Sequence, residues 1–176
     1  SALDRAVKLC TDTLRYGKAE ESPPRRERFL LRPLVEEIGM GLMLPRERVG
    51  FAVEMSGELE IDADRDQLYR VLNNLVRNAT EALEALPAGR EQGLVHVAAR
   101  RDGACVEIVV SDNGPGVPAK ARENLFAPFK GSASKGGTGL GLAIAAELIR
   151  AHGGDIRLDE TATGAAFRIT LPDREA

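Results

Sequence analysis

The sequence predicts an α+β fold: a two-layer α/β sandwich in which a mixed, mostly antiparallel sheet packs on helices, preceded by a helix fragment. Three observations lead there. Residues 64–86 carry Leu68, Leu72, Leu75, Ala79, Leu83 and Leu86 at steps of three and four, the stripe of a helix laid on a core. Residues 94–100 and 105–112 are apolar or alternating runs joined by Arg101-Asp102-Gly103, a short hairpin connection. A second strand pair, 154–159 and 165–171, straddles a turn near Gly164 after a helix at 138–151.

The remaining elements follow in chain order. Residues 2–16 place Leu3, Val7, Cys10 and Leu14 at alternating spacings of four and three, a short heptad seam that wants a partner helix. The plain alternative is a helix packed on its own domain. Gly17, Pro23, Pro24 and the charges around them mark a linker over 17–28, with the domain boundary drawn at 22–28. "FLL" at 29–31 reads as a short strand. Pro33 fits the first turn of a helix reaching about Met43, and 49–55 and 59–62 read as strands. Asp64 or Asp66 can cap the long helix, and Pro87 and Gly89 end it.

Residues 113–137 form a loop rich in Gly, Pro, Ser and Lys. Loops beyond ~12–15 residues are uncommon in compact domains and are usually functional or disordered. Phe126 and Phe129 of "LFAPF" offer anchors, so the segment reads as a lid. Ordering each residue costs ~1–2 kcal/mol of backbone entropy. Few apolar side chains in 118–136 offset that, so the lid is expected to order only on a ligand.

Composition narrows the classes. The 176 residues are 43% hydrophobic and 29% charged, as in a soluble globular domain. A net charge of -3 gives no nucleic-acid footprint. Cys10, Cys105, His96 and His152 show no zinc spacing, and two separated cysteines fit a reduced, cytoplasmic compartment. No apolar run approaches the ~20 residues of a membrane helix. The chain opens inside a helical pattern, so a longer protein is expected, with a membrane anchor elsewhere left open.

Three stretches carry chemistry. In "GGTGLGLA", glycines at alternate positions run into a helix start, whose unpaired N–H groups and dipole favour an anion. The Rossmann pattern fails because Leu142 stands at the third glycine, and the Walker pattern fails because Gly137 stands at the lysine. Steric relief alone would explain the glycines equally simply. On the long helix, Asn74, Asn78 and Glu81 share one face at i, i+4 and i+7. A carboxamide oxygen there can ligate Mg²⁺, which prefers hard oxygen donors; a solvated polar face is the alternative. In "SDNGPGVP", the carboxylate of Asp112 suits the amino group of adenine, and Gly114 and Gly116 admit a flat base; an ordinary Asp-Asn-Gly turn is the alternative.

Taken in order, "NNLVRNATEAL" (73–83), "DNGPG" (112–116), "LFAPF" (125–129) and "GGTGLGLAIA" (136–145) resemble the N, G1, F and G2 boxes of the ATP-binding domain of two-component sensor histidine kinases. The wider group is the gyrase, heat-shock chaperone, histidine kinase and mismatch-repair ATPase superfamily. "TGAAFRITLP" at 163–172 resembles the last family segment, and the likeness covers residues 29–172.

The resemblance implies a Bergerat-type ATP-binding fold over 29–174 with an ATP lid at 113–137. Residues 1–21 would then be the end of the second helix of the dimerisation and phosphoacceptor hairpin. It implies ATP and Mg²⁺ as ligands. Asn78 would hold the metal, with Asn74 supporting it or the phosphates, and Asp112 would read adenine between Gly114 and Gly116. Gly137, Thr138, Gly139, Leu140 and Gly141 would line the phosphates, with Lys130 and Lys135 as lid cations. Glu81 stands where many members have Lys or Arg, so it is no phosphate ligand. Where the superfamily's hydrolases carry glutamate, this chain has Asn74, which cannot act as a general base.

The implied activity is a protein-histidine kinase that passes the γ-phosphoryl group to a histidine and then to a response-regulator aspartate. His96 and His152 lie outside the family's phosphoacceptor context and read as structural, so that histidine belongs outside this chain. The implied partners are a phosphoacceptor helix of the same or a partner protomer, a receiver domain, and a second copy in a full-length homodimer. A non-catalytic docking adaptor, a clamp-type ATPase and a serine kinase of the anti-sigma type are the competing readings.

Overall fold

The computed structural model describes residues 2–21, 23–42, 48–87, 89, 91–128, 140–159 and 163–174. The elements in order are α1 (Ala2–Glu21), β1 (Glu27–Leu30), α2 (Leu31–Gly41), β2 (Val49–Glu54), β3 (Glu60–Ala63), α3 (Arg65–Glu84), β4 (Gly93–Asp102), β5 (Cys105–Asp112), α4 (Ala119–Arg122), α5 (Gly141–Ala151), β6 (Asp155–Asp159) and β7 (Ala166–Pro172).

α3 forms as its pattern dictates. Asp64 caps it, its carboxylate accepting the Gln67 N–H at 3.1 Å. Leu68, Leu72, Leu75, Val76, Ala79 and Leu83 are buried on one side. Each fully buried leucine contributes roughly 1.5–3 kcal/mol of transfer free energy. Five strands in the order β2-β4-β5-β7-β6 make the main sheet, and only the β2–β4 pairing is parallel. Val95, Val97, Val106, Ile108, Val110, Phe167, Ile169 and Leu171 point to the helices and are buried. The alternating His96, Ala98, Glu107 and Arg168 lie on the other, half-exposed face. β1 and β3 form a separate two-stranded antiparallel sheet at one end. The expected two-layer α+β arrangement is therefore observed.

Several boundaries differ from expectation. α1 runs through Gly17 to Glu21, where a linker was expected; one glycine costs a helix only about 1 kcal/mol. Glu27 already belongs to β1, paired with Ala63, so the expected linker overlaps a strand. α2 starts at Leu31, two residues before Pro33, and ends at Gly41; Met43 lies outside the described residues. α1 lies against α5 of its own chain, yet Leu3 and Val7 stay 72% and 57% exposed, so that contact leaves these two seam residues uncovered; the Leu14 side chain lies outside the described ones. The lid segment contains the one-turn α4, its Leu125 is buried, and Phe126 packs edge-on against Phe167 with centroids 6.2 Å apart. Phe129 lies outside the described residues.

Candidate nucleotide site

α3 and α5 pack side by side, and their contact joins two of the three sequence stretches. Asn74 donates from Nδ2 to the carbonyl oxygen of Gly141 at 3.2 Å. Asn74, Asn78 and Glu81 are all half-buried, whereas Asp66 and Arg77 on the same helix are exposed. The asparagines therefore lie on the flank of α3 toward α5 and not on its fully solvated face. The Asn78 carboxamide makes no hydrogen bond to another described residue.

α5 begins without a side-chain cap. Leu140 occupies the N-cap with φ -100 and ψ -23, and no acidic residue stands in the first turn. Leu140, Leu142, Ala143 and Ile144 are buried and fix the helix start against the core. A helix that offers neither a capping oxygen nor a carboxylate at its start is suited to an anion from outside.

The third stretch closes β5. The backbone of Asp112 continues the ladder, its N–H donating to Ala165 at 2.9 Å, while Oδ1 accepts the Gly114 N–H at 2.9 Å. Burial pushes the Asp112 carboxyl above its ordinary value, against the opposing pull of the Gly114 and Ala165 backbone. The sequence left open an adenine reader or an ordinary turn, and the residue does make the turn. A half-buried carboxylate fixed in that way presents a defined acceptor. A Cβ on Gly114 would sit 2.9 Å from Asp112 Oδ1 and 3.3 Å from Leu83 Cδ2. Gly114 thus packs too closely on Asp112 and Leu83 to carry any side chain, and Leu83 lies on α3 five residues beyond Asn78.

Three contributors were not singled out from sequence. Gly164 has φ +71, and a Cβ there would overlap the carbonyl oxygen of Asp112. The turn between β6 and β7 therefore presses backbone to backbone on the Asp112 loop, and a Cβ on Gly116 would lie 3.1 Å from the Gly164 oxygen. Asn113 extends the β4 edge: its Oδ1 accepts Leu94 N–H at 2.7 Å and its Nδ2 donates to Gln92 O at 3.2 Å. Leu83 forms the wall opposite Asp112. Only the turn glycine had a local signal, and its partner became visible only with the β5–β7 pairing.

Of the expected site residues, Asn74 and Gly141 are in contact, Leu140 starts α5, Asn78 follows Asn74 by one turn, and Asp112, Gly114 and Gly116 share one loop. Lys130, Lys135, Gly137, Thr138 and Gly139 lie outside the described residues. Both histidines have structural partners. His96 Nε2 lies 3.0 Å from Glu54 across the strands. His152 is buried, its Nε2 accepting Asp64 N–H at 3.0 Å and its Nδ1 facing Leu148 O at 2.7 Å. A separate concavity of about 580 Å³ involves Val53, Glu54, Arg100, Glu107 and Arg168 and holds none of the candidate residues.

The chain's likeness to known proteins falls on the same region. A profile of the family described as histidine kinase-, DNA gyrase B-, and HSP90-like ATPase matches residues 63–175. The alginate biosynthesis sensor protein KinB of Pseudomonas aeruginosa is 40% identical over 128 residues, 71% of this chain and 20% of that protein. This chain spans about a fifth of the length of the curated relatives it matches first, 20%, 16% and 22% of them. The catalytic domain of histidine kinase ThkA, free of nucleotide, superposes with a TM-score of 0.71 at 29% identity, over 85% of this chain and 96% of that one. ThkA in complex with the response regulator TrrA matches at 26% identity and a TM-score of 0.73, over 98% of this chain and 48% of that one.

Proposed function

The chain belongs to the histidine kinase-, DNA gyrase B-, and HSP90-like ATPase family, as the ATP-binding domain of a sensor histidine kinase, and from that premise we propose that it binds Mg-ATP and donates the γ-phosphoryl group to a histidine outside this chain. The observation that carries the reading is the Asn74–Gly141 hydrogen bond, which seats the asparagine face of α3 on the start of α5.

The residues fit the ligand. Asp112 is a carboxylate fixed by the Gly114 N–H, in a loop too close-packed for a side chain at Gly114, and it accepts the exocyclic amino group of adenine. We assign the phosphates to the start of α5 at Leu140 and Gly141, and keep Gly137, Thr138, Gly139, Lys130 and Lys135, which lie outside the described residues, as candidate phosphate contacts on the sequence alone. Among the described residues no cluster of three His, Cys, Asp or Glu side chains could hold a metal. That suits an ion held by one carboxamide, that of Asn78, together with phosphate oxygens and water. Mg²⁺, held by Asn78, would supply positive charge to offset the negative charge that develops in phosphoryl transfer. Asn74 is held by Gly141 and carries no basic carboxylate, so it orients its neighbours without activating water. The protein's work is positioning: Asp112 and Gly114 fix the base, and the α5 start holds the phosphates.

Both histidines are engaged in structural contacts, so the acceptor lies on a separate helix of the same or a partner protomer. α1, with its uncovered Leu3 and Val7, is the tail of such a dimerisation helix, and the full-length protein is a homodimer. A receiver-domain aspartate is the next acceptor, in line with the ThkA–TrrA pair. No helix among the described residues is long and apolar enough to cross a membrane, and we place the site on the cytoplasmic side.

A fluorescent-ATP titration with and without Mg²⁺ tests the reading on wild type and Asn78→Ala. Mg²⁺ should tighten binding to wild type and leave the variant unmoved. Identical Mg²⁺ dependence removes the metal assignment, and no binding to wild type removes the nucleotide reading. Incubated with ATP alone, this chain should form no phosphohistidine.

A further inference from the structure

The far ends of the two site helices meet at a single cluster of polar groups, and the segment entering the domain is tied into it. The N–H of Arg25 donates to Asp64 Oδ2 at 2.9 Å, and Asp64 is the N-cap of α3. The guanidinium of Arg26 donates to His152 O at 3.0 Å, to Asp62 O at 2.8 Å and to Pro172 O. His152 is the C-cap of α5. The two caps also touch each other through the Asp64 N–H and His152 Nε2. Asp62, 2% exposed, balances the charge: Arg174 approaches its carboxylate at 3.0 Å and Arg26 at 3.6 Å.

The cluster has no described candidate site residue in it, yet both helices that carry the site start or end there. α5 spans about 16 Å from His152 back to Gly141. α3 runs from Asp64 up to Asn74, where it meets Gly141 again. α3 and α5 are thus tied at two places, through the caps at one end and through Asn74–Gly141 at the other. The Arg26 side chain is only 11% exposed and its fork spans three carbonyls. A planar guanidinium can hold such a set, whereas an ammonium on a flexible stem cannot.

We propose that Arg26 is a positioning residue for the nucleotide site: it couples residues 23–26, which lead out of α1, to the phosphate end of α5 through the His152 carbonyl and the Asp64 cap. Movement of α1 relative to the domain then changes nucleotide affinity by shifting α5 along α3. The proposal rests on the ATP reading given above.

The test compares fluorescent-ATP affinity for wild type, Arg26→Gln and a remote core variant, Ile38→Val, at temperatures equally far below each melting point. Backbone and side-chain amide NMR of Asn74 and Gly141 is recorded on the same samples. Arg26→Gln should weaken binding about fivefold or more, within the usual span of coupling between sites, and should move the Asn74 side-chain amide signals. Ile38→Val should do neither. Should Arg26→Gln fail to fold, Arg26→Lys replaces it, since lysine keeps the stem and charge but not the fork. Unchanged affinity, a loss matched by Ile38→Val, or unmoved Asn74 signals overturns the proposal while leaving the ATP reading intact. Absence of nucleotide binding to wild type removes the ATP reading and this coupling with it.

Discussion

Replacing Gly164 by alanine separates two costs that a single variant would confound. Gly164 and Gly103 both adopt left-handed backbone, at φ +71 and φ +61. A Cβ at Gly103 meets nothing within 4 Å, whereas at Gly164 it overlaps the Asp112 carbonyl and comes within 3.1 Å of Asn113 Cα. Gly103→Ala therefore carries only the conformational penalty, about 1–2 kcal/mol. Gly164→Ala carries that penalty plus overpacking against backbone that cannot rotate aside, about 1–3 kcal/mol more. The difference between the variants isolates the close approach of the two loops. With a urea m-value of about 2 kcal/mol per molar, the unfolding midpoint of Gly164→Ala should fall below that of Gly103→Ala by roughly 0.5–1.5 M. Nucleotide affinity should drop in Gly164→Ala and hold in Gly103→Ala, because only Gly164 supports Asp112. Equal midpoints, or equal affinities, would refute the idea that the turn between β6 and β7 fixes the Asp112 loop.

Asp112→Asn should weaken ATP binding about tenfold or more, since hydrogen bonds to charged groups contribute about 1.5–3 kcal/mol, while stabilising the ligand-free protein at neutral pH. The second expectation follows from the sign of the shift: a carboxyl raised by burial makes its charged form costly, so stability falls as pH rises through the ordinary value of 3.8 and beyond. A urea titration at pH 7.5 checks it. His152 is depressed, chiefly by burial, so its contribution is present above 6.5 and is lost as pH falls below that value. His152→Gln should flatten the stability decline below pH 6.5, read by unfolding midpoints. Burial alone would raise the Asp62 carboxyl, but Arg174 and Arg26 outweigh it and leave it lowered, so its contribution is lost only below 3.8. Asp62→Asn should therefore change the acid limb in that lower window. Asn113→Ala should cost about 1 kcal/mol by freeing Leu94 N–H and Gln92 O.

Local pattern carried α3 to within about two residues, because its leucine stripe, its Asp64 cap and its Pro87 stop are all written in neighbouring residues. It carried the β4–β5 hairpin and the final strand pair for the same reason. Gly17 misled because a breaker is a preference of about 1 kcal/mol and not a boundary. The parallel β2–β4 pairing, the Gly164–Asp112 approach and the Arg26 cluster had no local trace. Arg26 reaches His152 across 126 positions and Arg174 reaches Asp62 across 112, so only the completed fold makes neighbours of them. At the candidate site, the asparagine face of α3 and the Asp112 loop were legible as chemistry. Their walls, Leu83 and Gly164, were not, since an ordinary leucine and a turn glycine carry no mark of what they face.

The bare start of α5 has a thermodynamic consequence of its own. Leu140 has no side-chain oxygen to cap the helix terminus, so an arriving phosphate would complete a piece of secondary structure. Nucleotide then behaves as a detachable residue of the fold, and its departure leaves a helix one cap short, a deficit of about 1 kcal/mol. On the proposed reading, bound nucleotide would be expected to stiffen the α5 start. Compounds that satisfy the helix terminus without resembling adenine would be expected to stiffen it as well.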